Sequence, residues 1–165
     1  MGARMSQMRL QTPHSRTVLR CSTLDASALA RLDHSIFSTP HHNYTRTEHV
    51  WNEFLTLQRH GAACLVVAFG VHAPLGVAAL RYDLYATCGY LSLLGVLPRY
   101  QRRHVGSRLI AMAEQDAASR HCNGLYLRVC AENTLALSFY KARGYVVEHD
   151  ASMSRSVLLL RKELV

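Results

Sequence analysis

Apolar residues recur along this chain in two rhythms, and the points where the rhythm changes divide it into elements. Thr17–Cys21 reads as a short strand. Leu29, Leu32, Ile36 and Phe37 return at helical spacing behind a cap at Asp25 or Ser27. Ser38–Asn43, with Pro40, His41 and His42, reads as a loop. Thr47 then opens a second helix whose buried side is Val50, Trp51, Phe54, Leu55 and Leu57, and Gly61 ends it. Ala63–Phe69 is one unbroken apolar run. Leu75–Tyr85 and Tyr90–Leu97 follow after turns at Val71–Pro74 and Thr87–Gly89, so three consecutive strands are expected to pair antiparallel. Past Pro98 the helical period returns: Val105, Leu109, Met112 and Ala113 share one face up to about Arg120. Leu125–Cys130 is a strand, Asn133 opens a helix that Gly144 stops, and Tyr145–Glu148 and Val157–Arg161 complete the sheet. Helices, then a meander, then β-α-β-α-β, make an α+β fold around one sheet.

Composition narrows the function classes. The 165 residues are 49% apolar and 18% charged, enough to fill one core. They hold no apolar run of the roughly 18 residues that cross a bilayer, so no membrane partner is expected. Residues 1–16 carry Arg4, Arg9 and Arg16 without an acid; they read as a flexible tail ahead of a single domain over 17–165. A cleaved transit peptide and a myristoylation pattern at Gly2 are the weaker readings of that tail. Cys21, Cys64, Cys88, Cys122 and Cys130 are odd in number and contain no C-x-x-C pair. That spacing suits neither a disulfide framework nor a zinc site, and a reducing, cytoplasmic setting fits it best. Cys64 and Cys130 are expected as small core residues. The net charge of +8 comes almost wholly from arginine and favours an anionic partner. Nucleic acid is disfavoured, because neither an aromatic-rich strand motif nor a recognition helix accompanies the charge.

The arginines gather in one place, Arg99, Arg102, Arg103 and Arg108, where a buried strand gives way to an amphipathic helix. Backbone N–H groups at a helix start lack intrahelical partners and point one way. The helix dipole adds positive potential there, and a phosphate suits such a place. Gly106 lets the backbone approach a ligand closely. The stretch Val96-x-Pro98-x-Tyr100-Gln101-x-x-His104-Val105-Gly106 resembles the acetyl-CoA pyrophosphate loop of the GCN5-related N-acetyltransferases (GNATs), V-x-P-x-Y-R/Q-x-x-G-x-G/A. One residue departs: His104 stands where the family has glycine, so the backbone must make its turn with a Cβ attached.

Asn133-x-x-Ala136-x-x-Phe139-Tyr140-x-x-x-Gly144-Tyr145 resembles the same family's second motif, one helix and one strand further on. Asn133 can cap its helix or bond the pantetheine arm, and Tyr140 lies two turns along the same face. The resemblance implies a mixed, mostly antiparallel sheet of six or seven strands flanked by about four helices. It implies an enzyme that moves an acetyl group from acetyl-CoA to a primary amine, of a small molecule or a protein N-terminus, directly in a ternary complex, with no metal. It implies that the strand ending Leu94-Gly95-Val96 bulges and splays from Leu125–Cys130, with backbone donors near Leu94 or Gly95 for the thioester oxygen. The N–H groups from Arg102 and Arg103 through His104, Val105, Gly106 and Ser107 would hold the pyrophosphate, helped by Gln101. Asn133 and Ala136 would flank the cofactor arm, and Tyr140 would be the general acid toward the leaving thiolate.

The general base stays open. Ser92 and Leu93 occupy the strand positions where many relatives carry a carboxylate, which leaves Glu132, His104, His41, His42 or a water chain. The other functional reading keeps the fold and drops catalysis, giving an acyl-CoA-binding or regulatory module. The acceptor amine and a homodimer are equally open: the loop Ile36–Arg46, where acceptor contacts would come from, matches nothing specific.

Overall fold

A computed structural model describes residues 18–21, 24–38, 46–83, 85, 87–148 and 156–164. The expected tail 1–16 and the loop histidines His41 and His42 lie outside the described residues. The elements run β1 (Val18–Cys21), α1 (Ala26–Phe37), α2 (Glu48–Arg59), β2 (Ala63–Phe69), β3 (Pro74–Asp83), β4 (Cys88–Val96), a 3₁₀ turn (Pro98–Tyr100), α3 (Val105–Ser119), β5 (Gly124–Cys130), α4 (Thr134–Lys141), β6 (Val146–Glu148) and β7 (Val157–Glu163). Asp25, not Ser27, caps α1, accepting from the Ala28 N–H at 2.7 Å. The strand expected to reach Tyr85 stops at Asp83, whose carboxylate accepts from the Tyr85 N–H at 2.9 Å and turns the chain.

The seven strands form one sheet in the order β1-β2-β3-β4-β5-β7-β6. The meander β1 to β4 is antiparallel, as the short turns require, and β4 with β5 is the parallel pair. Two cores lie on its two faces. One, under α3 and α4, collects Val66, Leu80, Leu109, Ile110, Leu127 and Leu160; the other, under α1 and α2, collects Leu29, Trp51, Leu65, Val67 and Leu93. Each fully buried Leu or Ile side chain contributes about 1.5–3 kcal/mol. The two-residue period of β5 puts Leu125, Leu127 and Val129 inward and leaves Arg128 and Cys130 outward. Cys130 is therefore exposed, not a core residue, while Cys64 is buried.

One irregularity shapes the centre of the sheet. Ala79 pairs with Leu93 but Leu80 pairs with Leu91, so Ser92 is the extra residue of a β-bulge. An extra residue in a strand of period two exchanges its faces. Leu91 faces the α3 core, yet Leu93 faces the α1–α2 core and Leu94 and Val96 pack toward α3 again. The parallel ladder with β5 ends at the same point, at Leu91 opposite Leu127, and β4 runs on to Val96 without β5 beside it. The bulge falls at Ser92, within the strand ending Leu94-Gly95-Val96 for which the family resemblance implied a bulge and a splay from β5.

Candidate active site

A cavity of about 730 Å³ opens where β4 leaves β5. Leu94, Gly95 and Val96 of β4 form one wall; Gln101, Arg102, His104, Gly106 and Ser107, from the loop and first turn of α3, form the end. Leu135, Ala136, Ser138, Phe139 and Tyr140 of α4, with Arg143 just beyond it, form the second wall.

The loop is held from several points. Leu97 N–H bonds the Leu75 carbonyl at 2.8 Å and Tyr100 N–H bonds the Leu97 carbonyl at 2.8 Å. The Gln101 side-chain amide donates to the Val96 carbonyl at 3.1 Å, which ties the turn to the end of β4. Arg102 and His104 both adopt positive φ, 59° and 61°. His104 thus makes the left-handed turn that a glycine makes without strain, with its Cβ in place. Arg108 N–H donates to the His104 carbonyl at 3.1 Å; the N–H groups of Val105, Gly106 and Ser107 precede the helical ladder and are free for a ligand. No acid stands in the first turn of α3.

Gly106 is informative because nothing in the protein demands it. A Cβ there would meet Phe139 at 3.6 Å and Val96 at 3.7 Å, ordinary contacts. Gly95 is the opposite case: its Cβ would come to 2.6 Å from Phe37 and 2.7 Å from Ile36. Gly95 lets α1 close on β4, whereas Gly106 keeps open a surface that borders the cavity.

On α4, the Asn133 side-chain oxygen accepts from the Ala136 N–H at 3.1 Å, so Asn133 caps the helix. The helix stops through paired bonds from Tyr145 N–H to the Tyr140 carbonyl (3.2 Å) and from Gly144 N–H to the Lys141 carbonyl (3.0 Å), with Gly144 at φ 85°. Tyr140 is buried and packs edge-on against Phe139 and Tyr145, centroids 5.2 and 5.5 Å apart. Burial pushes its phenol well above the usual pKa near 10, and the neighbouring Arg143 charge opposes that rise.

The cavity lining thus gathers Leu94, Gly95, Val96, Gln101, Arg102, His104, Gly106, Ser107, Ala136 and Tyr140 from the residues expected in sequence. It does not include Arg103, which stacks over Tyr100 at 5.9 Å, nor Val105, whose side chain is buried, nor Asn133 beyond its cap. Glu132 lies exposed in the turn after β5, also outside the lining. Among the described residues no cluster suited to a metal ion is present.

Sequence reasoning missed Leu135, Ser138, Phe139 and Arg143. Arg143 had a readable signal: it continues the face of Ala136 and Tyr140 by one more turn. Also missed was a buried carboxylate behind the opposite wall. Asp33 of α1 is fully buried and accepts from the Arg46 N–H at 2.6 Å and from its guanidinium at 3.1 Å; that guanidinium reaches on to the Ser92 carbonyl at 3.4 Å. α1 is thereby tied to the bulge of β4.

Known proteins share this fold. The structure is similar to that of the PaiA N-acetyltransferase from Thermoplasma acidophilum in complex with coenzyme A, with a TM-score of 0.76 and 20% identity over 89% of this chain and 98% of that one. It is similar to the ribosomal-protein-S18-alanine N-acetyltransferase from Escherichia coli, TM-score 0.74, 15% identity, covering 90% and 94%. A third likeness is to yncA from Salmonella typhimurium with its cofactor acetyl-CoA, TM-score 0.72, 13% identity, covering 92% and 95%. At these identities they show a shared fold. The sequence itself matches the model of the acetyltransferase (GNAT) family over residues 27–145. The chain belongs to that family and is an acetyl-CoA-dependent acyltransferase.

Proposed function

We propose that this enzyme moves the acetyl group of acetyl-CoA to a primary amine, of a small molecule or of a protein N-terminus, directly while both substrates are bound. The observation that carries the reading is the cavity itself: free N–H groups at the start of α3 stand at one end, and a buried phenol stands on the wall of the same cleft. Two of the similar structures hold coenzyme A or acetyl-CoA, and one similar protein is by name an N-acetyltransferase of an alanine.

The residues fit such a donor. N–H groups of Val105, Gly106 and Ser107, with those of the turn at Arg102–His104, would take the diphosphate. The missing Cβ of Gly106 gives it room, and Arg102 adds charge. The pantetheine arm would lie between Leu94 and Val96 on one side and Ala136 and Phe139 on the other. The strand segment Leu94–Gly95, freed from β5, offers backbone donors toward the thioester oxygen, where negative charge develops as the amine attacks. Tyr140 would give its proton to the departing sulfur. Its raised pKa keeps it protonated at neutral pH, and a thiolate of pKa near 8.5 takes that proton only in concert with bond breaking. Glu132 lies outside the lining, so the proton lost by the amine would pass to His104, which lines the cavity, or to water. The free thiols of Cys64, Cys88 and Cys122 support a reducing, intracellular setting.

Thiol release from acetyl-CoA, followed against a panel of primary amines and N-terminal peptides, tests the reading. Release must require both an amine and the Tyr140 hydroxyl. Tight binding of coenzyme A without release on any acceptor would instead favour a regulatory acyl-CoA-binding module.

A further inference from the structure

The loop before α3 does not supply all the positive charge at the cradle. Arg143, just past the end of α4, lines the same cavity and reaches across to the first turn of α3. Its Nη2 donates to the Ser107 hydroxyl, and its Nη1 donates to the Phe139 carbonyl at 2.7 Å. Its guanidinium carbon sits 3.6 Å from the centre of the Phe139 ring. Two bonds and a stacked ring fix the plane of the fork at one place.

That place is electrostatically wrong for a cation in the empty protein. Positive charge at a helix N-terminus opposes the macrodipole, where an anion is favoured by about 0.3–1 kcal/mol. The first turn of α3 holds no acid, and none of the ion pairs among the described residues involves Arg143. Arg102 and His104 share the rim. The missing partner is an anion, and a guanidinium with donors to spare suits phosphate oxygens in a two-pronged geometry.

We propose that Arg143 is a ligand of the diphosphate of coenzyme A, delivered from α4 and held in place beforehand by Ser107 and Phe139; this rests on the acetyl-CoA reading above. The diphosphate is preferred over the 3′-phosphate because Ser107 is the third residue of α3. A group within reach of its hydroxyl is within one turn of the free N–H groups.

The test is calorimetric titration of the wild-type protein, Arg143→Gln and Arg143→Lys with coenzyme A and with dephospho-coenzyme A, which lacks only the 3′-phosphate. Losing a charge-assisted bond costs about 1.5–3 kcal/mol, or about ten- to a hundredfold in Kd. Arg143→Gln is expected to weaken both ligands by the same factor, and Arg143→Lys to recover part of it by keeping the charge without the fork. Ser107→Ala, which removes the anchor alone, is expected to weaken both by less, and it stands in should the glutamine variant not fold. A loss confined to coenzyme A would put the guanidinium on the 3′-phosphate and overturn the proposal. Equal losses in the lysine and glutamine variants would reduce the residue to its stacking on Phe139, and undiminished binding would remove it altogether. A wild-type protein indifferent to coenzyme A would defeat the acetyl-CoA reading itself, a separate outcome.

Discussion

The sheet carries two helical layers held by different means. α1 and α2 close on it through shape and one part-buried ion pair: Ile36 and Phe37 fill the space over Gly95, and Asp33 with Arg46 ties α1 to the bulge at Ser92. α3 and α4 pack equally well at their buried faces but leave a cleft between their near ends, with unpaired N–H groups, unbalanced positive charge and a glycine whose missing Cβ no protein atom requires. The first layer is closed against the sheet, apart from the Trp51 indole N–H, which is buried without a partner. The second is incomplete, and what it lacks is an anion with a slender arm. Incompleteness of that sort marks a site more reliably than the kind of residue present, since both layers contain arginines, histidines and aromatics.

Tyr140 gives the sharpest way to break this contrast. As a general acid its loss in Tyr140→Phe should cost about 10²–10⁴-fold in kcat while the Kd for coenzyme A stays within about twofold, since a phenyl ring preserves the packing against Phe139 and Tyr145. Turnover with any amine that supports thiol release, beside calorimetry, checks both. The pH profile adds a sign. An acid must be protonated to serve, so its contribution disappears as pH rises through its pKa. Burial raises that pKa above the ordinary value near 10, so kcat should show no falling limb between pH 7 and about 10. A fall centred near pH 8 would assign the proton to another group.

The other layer predicts a loss of stability instead. Arg46→Met leaves the buried Asp33 carboxylate without its guanidinium but with the residue-46 main-chain N–H still donating to it, and such a loss costs about 1–3 kcal/mol. Because the pair lies on the α1 side of β4 and not among the cavity-lining residues, coenzyme A affinity should persist in the protein that remains folded. Urea unfolding reads the first effect and titration the second. A variant of unchanged stability would show that the ion pair adds nothing beyond packing.

The same contrast explains what could be read in the sequence. The α3–α4 side was legible because a ligand bound through main-chain donors leaves marks of local geometry. Pro98, Gln101, Gly106, Asn133 and Gly144 each have a spacing or a conformational reason within a few residues. The elements were legible from period alone, with errors of about two residues at the ends of β3 and β4. Asp33 and Arg46 were not legible, because a carboxylate in an amphipathic helix looks solvent-facing until the chain folds back from thirteen residues away. The exact position of the bulge, at Ser92, was not legible for a related reason: it is a property of the pairing with β3. Arg143 was passed over because it lies beyond the end of its helix, though it continues the face of Tyr140.

Two glycines narrow the comparison further. Gly95→Ala drives a Cβ into Ile36 and Phe37 and should destabilise by about 1–3 kcal/mol. Gly106→Ala meets only ordinary contacts in a helical turn, so the ligand-free protein should gain about 0.5–1 kcal/mol from helix propensity. Its methyl group would then intrude on the cradle and weaken coenzyme A. Opposite signs in thermal stability, with affinity lost at Gly106, are expected. If Gly106→Ala bound coenzyme A as well as wild type, the ligand would not approach the first turn of α3 as proposed.

The smallest effect concerns His104, the residue that departs from the family's loop. It holds φ 61° and ψ 8° with a Cβ attached, a conformation that costs a non-glycine residue about 1–2 kcal/mol. Replacement by glycine removes that strain but gives the unfolded chain more freedom, which takes back up to about 1 kcal/mol. His104→Gly should therefore change stability by less than about 1 kcal/mol, in the stabilising direction. Affinity then separates two roles for the imidazole. If His104 serves only as a turn, the glycine variant binds coenzyme A unchanged. If its ring donates to the phosphates from the cavity rim, affinity falls despite the relaxed backbone. Titrating both proteins with coenzyme A measures the difference. Tighter binding by the wild type would make the departure at residue 104 a gain in phosphate binding, obtained for about the strain of one left-handed residue.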